Sequence, residues 1–158
     1  MNIPKYPLKA EAKFIRFEFV SEGPKGFIKK LIEFQETNNA QVFNLAFGDK
    51  NNDEIDDLVV SDNGDAEKVL STVVSALYVF FDHHPDVFVY ISGSTNVRTR
   101  LYRIGISKYY NELIDDFYIN KVTFGVNYSD RYKDKENKGF FATAESYPFS
   151  SAIPASYV

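Results

Sequence analysis

The stretch from Val69 to Phe81 constrains the fold more than any other. Val69, Leu70, Val73, Val74, Leu77, Phe80 and Phe81 recur at three- and four-residue steps, which lines one face of a core-facing helix. Asp65 stands where an N-cap or first-turn acid belongs, and the helix should end near His84, with Pro85 just beyond. The segments around it supply strands for that face to pack on. Lys13 to Ser21 alternates, with Ile15, Phe17 and Phe19 on one side and Arg16 and Glu18 on the other. Phe27 to Gln35 follows the Gly- and Pro-rich turn Ser21–Gly26, with Ile28, Ile32 and Phe34 on one face and Lys29 on the other, so the two segments read as a hairpin.

The remaining strands are Gln41–Phe47, Ile55–Val60 after an acidic loop from Gly48 to Glu54, Val87–Ile91, Phe117–Val126 and a short Gly139–Ala144. Val87–Ile91 is a nearly continuous apolar run, as in a buried central strand. A second helix is expected from about Asn96 to Asp116, with Val97, Leu101, Ile104 and Leu113 on its buried face. The expected fold is therefore α+β: a mainly antiparallel mixed sheet with two core helices, in the order ββββαβαββ. Residues 1–144 form a single domain and 145–158 a loose C-terminal tail. At 158 residues the chain fits one domain. Its 15 Phe and 11 Tyr favour sheet.

The absence of cysteine removes disulfides, thiolate metal ligands and a cysteine nucleophile, and is compatible with a reducing cytoplasm. The N-terminus lacks the apolar run of a secretory signal, and no stretch approaches the roughly 18 apolar residues needed to cross a bilayer. A cytoplasmic protein with no membrane partner is the expectation. The net charge of −4 disfavours nucleic acid as a partner without excluding it. That charge is unevenly spread: eight acids and one base, Lys50, between Asp49 and Glu67, but four bases and no acid between Arg98 and Tyr110.

The most informative motif is Ser92-Gly93-Ser94-Thr95-Asn96-Val97-Arg98-Thr99-Arg100, where a buried strand ends in a hydroxyl-rich turn and feeds a helix N-terminus. Free backbone N–H groups and the helix dipole favour an anion there. Arg98 and Arg100 stand where the dipole disfavours a cation, so an anionic partner is implied. It could be a ligand phosphate, a nucleic acid, an acidic protein partner or the chain's own acids, such as Asp62 or Asp65. The candidate ligand-binding residues are Ser94, Thr95, Asn96, Arg98, Arg100 and Arg103, and a small binding or regulatory module is the leading reading.

Other constellations carry less. Asp82-His83-His84 looks like a phosphoesterase metal motif, but adjacent histidines on a helix cannot grip one metal as an i, i+4 pair does. Asp49-Lys50-Asn51-Asn52-Asp53 begins like a calcium loop, which then requires Gly where Glu54 stands and an acid where Val60 stands. No metal site and no cofactor are expected on this reading. The motifs of a serine nucleophile elbow, a phosphate loop or a dinucleotide fingerprint do not occur.

Two resemblances add to this. Phe19–Gly26, Asn44–Asp49, Asn63–Leu70 and Gly93–Arg103 together resemble an uncharacterised family of short bacterial proteins, mainly from Bacteroidetes, over roughly residues 5–142. The resemblance implies an intracellular bacterial protein and supplies no activity. The order strands, helix, strand, helix, strands is also similar to the later part of the GCN5-related N-acetyltransferase fold. That similarity implies a pyrophosphate-binding loop at Ser61-Asp62-Asn63-Gly64-Asp65-Ala66, acetyl-CoA as cofactor and Tyr102 as general acid. Asp62 and Asp65 depart from that pattern by placing negative charge where a pyrophosphate would sit.

Overall fold

In a computed structural model, residues 4–56, 62–91, 108, 117–122 and 139–144 are described. The elements run β1 (Lys9–Ala10), a 3₁₀ turn (Ala12–Phe14), β2 (Arg16–Gly23), β3 (Gly26–Glu36), β4 (Val42–Asn51), β5 (Glu54–Asp56), α1 (Ala66–His83), β6 (Phe88–Ile91), β7 (Phe117–Val122) and β8 (Gly139–Ala144). The architecture is α+β. One sheet has the order β1-β2-β3-β4-β6-β8-β7, with β5 folded back on β4. Among the described residues every pairing is antiparallel except that of β4 with β6, where Val42 to Leu45 lie beside Phe88 to Ile91. Parallel neighbours need a long crossover, and α1 lies in that connection.

α1 starts and stops where its periodicity predicts. It packs on the sheet face that carries Phe17, Phe19, Ile32, Phe34, Phe43, Leu45, Val89 and Ile91. Phe80 is fully buried at the centre, stacked on Phe34 at 4.0 Å between ring centroids and edge-on to Phe43 at 5.3 Å. Much of the unusual Phe content is thus spent on one aromatic layer between helix and sheet. The opposite face is buried too at its centre, through Leu31, Val42 and Phe88. That is why β3 and β6 carry apolar residues on both sides of the pleat.

The structure departs from the sequence reading at several boundaries. The lead-in is not wholly irregular, because Lys9 and Ala10 pair with Glu18 and Phe17. The acidic loop is shorter than expected. Gly48 to Asn51 extend β4, and Asn52 and Asp53 make a two-residue turn with φ of 50° and 67°. Positive φ at both turn positions is the type I′ hairpin geometry that Asn and Asp tolerate. Of the fourth predicted strand, Ile55 and Asp56 lie in β5, and 57–61 lie outside the described residues. The second predicted helix also lies outside them, apart from Lys108, which is helical. So do residues 123–138 and the tail 145–158.

Candidate functional site

The path from β4 through α1 to β6 leaves two features at the end of the sheet toward which both parallel strands run, the N-terminus of α1 and the tip of the β2–β3 hairpin; β6 itself stops at Ile91 beside Leu45, midway along β4. In sheets with parallel strands, ligands commonly gather at the carboxyl ends of those strands. A polar network occupies this end. Ser21 lies on the helix-facing side of β2 and is fully buried, and Asn63 is 2% exposed. Tyr6 reaches in from the lead-in.

Asp65 joins these groups. It precedes Ala66 at the N-cap position, yet its side chain makes no capping hydrogen bond. Its Oδ2 instead accepts from the Tyr6 hydroxyl at 2.7 Å and from Ser21 Oγ at 2.5 Å. Ser21 Oγ in turn accepts from Asn63 Nδ2 at 3.1 Å, and the same amide donates to Gly26 O at 3.0 Å. Lys25 N–H closes the set on Asn63 Oδ1 at 2.8 Å. The Tyr6 hydroxyl also accepts the Glu22 N–H at 3.0 Å. Burial first, and then the hydrogen bond to Asp65, raise the Tyr6 pKa above its ordinary value. Lys68 Nζ lies 4.1 Å from the centre of the Tyr6 ring, within cation–π range. A network with this many satisfied partners fixes the hairpin tip to the helix. It is poorly suited to nucleophilic catalysis, because Ser21 is closed to any substrate and its neighbour is a carboxylate already holding two hydroxyls.

A second polar pair lies on the same sheet face. Lys30 and Asp49 sit opposite each other on β3 and β4 and form a largely buried ion pair. Lys30 Nζ also lies 5.8 Å from the centre of the Phe47 ring. On the other face, Lys50 bridges Glu18 and Asp53, and Arg16 reaches Glu33 and the Asp53 carbonyl. Lys50 raises no barrier to its own charge: hydrogen bonds to Glu18 and then Asp53 hold its pKa up, while the Lys50 hydrogen bond lowers that of Asp53.

The sequence-predicted ligand residues Ser94, Thr95, Asn96, Arg98, Arg100 and Arg103, and the acid candidate Tyr102, lie outside the described residues. In sequence their segment follows Ile91, the last residue of β6. Beyond it, Lys108 Nζ pairs with Glu67 Oε1 in the first turn of α1 at 2.9 Å. The loop Asp62–Ala66 is described. Asp62 Oδ1 accepts the Gly64 N–H at 3.3 Å, and the hairpin tip packs on the loop through Gly23 against Asn63 and Pro24 against Gly64. The histidines serve the other end of α1. His83 stacks on Phe14 at 3.7 Å, and His84 Nε2 lies 2.9 Å from Lys13 O. Among the described residues, no cluster of three or more His, Cys, Asp or Glu could hold a metal, and no helix is long and apolar enough to cross a membrane.

Sequence reasoning missed Tyr6 and Lys30. Tyr6 lies between Pro4 and Pro7 in a stretch without periodicity, so no pattern marked it. Lys30 did leave a signal, because it shares the parity of Ile28, Ile32 and Phe34 and must point to the core with them.

The chain belongs to a family of unknown function (DUF6934), whose model matches residues 2–145. No curated protein and no solved structure matches it.

Proposed function

We propose that this chain is a small binding or regulatory module. Its ligand is an anionic small molecule or the acidic group of a protein partner, held at the C-terminal end of β6 by Ser94, Thr95, Asn96, Arg98, Arg100 and Arg103. One observation carries the reading: the parallel β4–β6 pair with α1 as its crossover, which makes this end the expected ligand end of the sheet. The N-terminus of α1 does not compete for the anion. Asp62, Asp65 and Glu67 already surround it with carboxylates, so an anion is directed to the next turn in sequence, where the arginines stand. A cytoplasmic location suits the cysteine-free composition.

A second reading is an acyl-CoA-dependent transferase, with Gly64 and Ala66 at the pyrophosphate and Tyr102 as general acid. The parallel β4–β6 pair bridged by a helix, with β8 inserted between β6 and β7, fits the architectural resemblance. The local chemistry weighs against it. The loop is covered by Gly23 and Pro24, and its two aspartates would repel a pyrophosphate.

The test is thermal unfolding with saturating acetyl-CoA and, in parallel, with inorganic phosphate and nucleotides. A ligand at about a hundred times its Kd stabilises by about 2.7 kcal/mol, or about 5–10 °C for a chain this size. A phosphate or nucleotide shift that is lost in Arg98→Ala/Arg100→Ala supports the binding module. A shift confined to acetyl-CoA, with turnover lost but binding kept in Tyr102→Phe, supports the transferase instead. A ligand shift unchanged by the arginine substitutions refutes the proposed site.

A further inference from the structure

Asn63-Gly64 is the sole Asn-Gly pair in the sequence, and such a pair carries a reaction of its own. The main-chain nitrogen of the glycine attacks the asparagine side-chain carbonyl, because no Cβ on the second residue shields that nitrogen. A bond forms between Gly64 N and Asn63 Cγ, the Gly64 N–H proton is lost, and the side-chain nitrogen leaves as ammonia. Water then opens the cyclic imide to aspartate or to its β-linked isomer. The only reactants are the chain and water.

The fold restrains this reaction. Asn63 is 2% exposed. Its Nδ2 donates to Ser21 Oγ at 3.1 Å and to Gly26 O at 3.0 Å, and its Oδ1 accepts the Lys25 N–H at 2.8 Å. The attacking group is engaged as well, since Gly64 N–H donates to Asp62 Oδ1 at 3.3 Å. Gly23 packs so closely that a Cβ there would lie 2.8 Å from Asn63 Cγ. Cyclisation turns the Asn63 side chain onto its own main chain, so the three bonds that hold its amide break first.

The product does not fit where the amide sat. Ser21 has one hydroxyl hydrogen and gives it to Asp65 Oδ2 at 2.5 Å. An oxygen in place of Asn63 Nδ2 therefore faces the Ser21 lone pairs and the Gly26 carbonyl, acceptor against acceptor. Turning the Ser21 hydroxyl to the new carboxylate strips Asp65 of a partner, and Gly26 O loses its donor either way. Two carboxylates within reach of one hydroxyl also repel each other. The β-linked isomer adds a methylene to the main chain where Gly23 and Pro24 pack on this loop.

We infer that Asn63 is a deamidation site gated by the hairpin clamp. While the tip of the β2–β3 hairpin is docked on the start of α1, the amide is protected. Once the tip opens, the imide forms, and its hydrolysis product keeps the tip from docking again. The change is one-way because ammonia is lost. It is independent of the proposed anion site and uses none of that site's residues.

The test is peptide mapping by mass spectrometry of the full chain held at mildly alkaline pH, alongside the free peptide Ac-Ser-Asp-Asn-Gly-Asp-Ala-amide. Three hydrogen bonds of ordinary strength favour the closed clamp by about a hundredfold, so Asn63 should deamidate about a hundredfold more slowly in the chain than in the peptide. Ser21→Ala, which removes one of the three, should raise the rate in the chain about fivefold. Asn63→Asp supplies the product directly, and hydrogen exchange at the Lys25 amide should then be about a hundredfold faster than in the parent. Deamidation of the chain at the peptide's rate overturns the inference, as does a Ser21→Ala rate equal to the parent's. Parental protection of the Lys25 amide in Asn63→Asp overturns it too, by showing that the product docks as the amide does.

Discussion

Gly23→Ala tests whether the hairpin tip is held against the helix by close approach. A Cβ at position 23 would lie 1.9 Å from the Asn63 carbonyl oxygen, 2.8 Å from Asn63 Cγ and 2.9 Å from Oδ1. Reaching normal contact needs a shift of roughly 1.5 Å. Asn63 cannot yield easily, because Lys25, Ser21 and Gly26 hold its amide through three hydrogen bonds. Overpacking costs about 1–3 kcal/mol, and each hydrogen bond broken by the shift adds about 1 kcal/mol. The sum is about 3–4 kcal/mol, or a fall in Tm of about 10 °C at this chain length. Gly26→Ala is the control. Its φ is +89° but nothing lies within 4 Å of its Cβ, so it bears only a backbone cost of about 1–2 kcal/mol. Thermal and urea unfolding followed by circular dichroism measure both. If Gly23→Ala melts within about 2 °C of the parent, or above Gly26→Ala, the hairpin tip is not clamped as described.

Two further substitutions probe the buried polar groups. Tyr6→Phe strips the Glu22 N–H and Asp65 of a partner and should cost about 1–2 kcal/mol at neutral pH. Because the Tyr6 pKa is raised in the folded state, its contribution is intact below pH about 10 and is lost as pH rises through the folded value. Stability should therefore fall more steeply above pH about 10 in the parent than in Tyr6→Phe, and parallel curves in urea unfolding would reject the role given to the phenol. Lys30→Met breaks the largely buried pair with Asp49 and should cost about 3 kcal/mol, most of it regained in Lys30→Met/Asp49→Leu. A double variant no more stable than the single one would show that the pair is not what suffers.

Periodicity made most of the fold legible. The three- and four-residue stripe placed α1, and the alternation of Ile15, Phe17 and Phe19 placed the core face of β2. The apolar run at Val87 marked a strand buried on both faces. What stayed hidden depends on single residues or very short pairings. Two residues, Lys9 and Ala10, are too few to carry an alternating pattern. The extension of β4 through Gly48–Asn51 looked like loop because its composition is polar, yet the Asn52-Asp53 turn folds β5 back along it. Asp65 was legible as a residue of the helix start, but not as the acceptor for Tyr6 and Ser21, since those partners lie 59 and 44 residues away. The residues proposed for the anion site came from sequence alone.

The charge asymmetry gains meaning from where the acids are spent. Between Asp49 and Glu67 the sequence suggests a free acidic surface that could neutralise the arginines beyond β6. The structure commits much of it elsewhere. Asp49 is paired with Lys30, Asp53 with Lys50, and Asp65 holds two hydroxyls. Asp62 accepts the backbone of its own turn, and Glu67 takes Lys108. Asp62 and Asp65 were the acids best placed by sequence to serve Arg98 and Arg100, and each has a partner of its own. A carboxylate already accepting two hydroxyl groups gains less from an added cation than a free one, because those bonds stabilise its charge and fix its direction. Commitment of these acids supports the proposed external anion at the basic segment over an internal ion-pair cluster. It also sets the result to seek first: phosphate stabilisation that survives Asp62→Asn and is lost with Arg98→Ala/Arg100→Ala. If Asp62→Asn instead increases phosphate stabilisation severalfold, the acid was competing for the arginines, and the internal cluster is the better account.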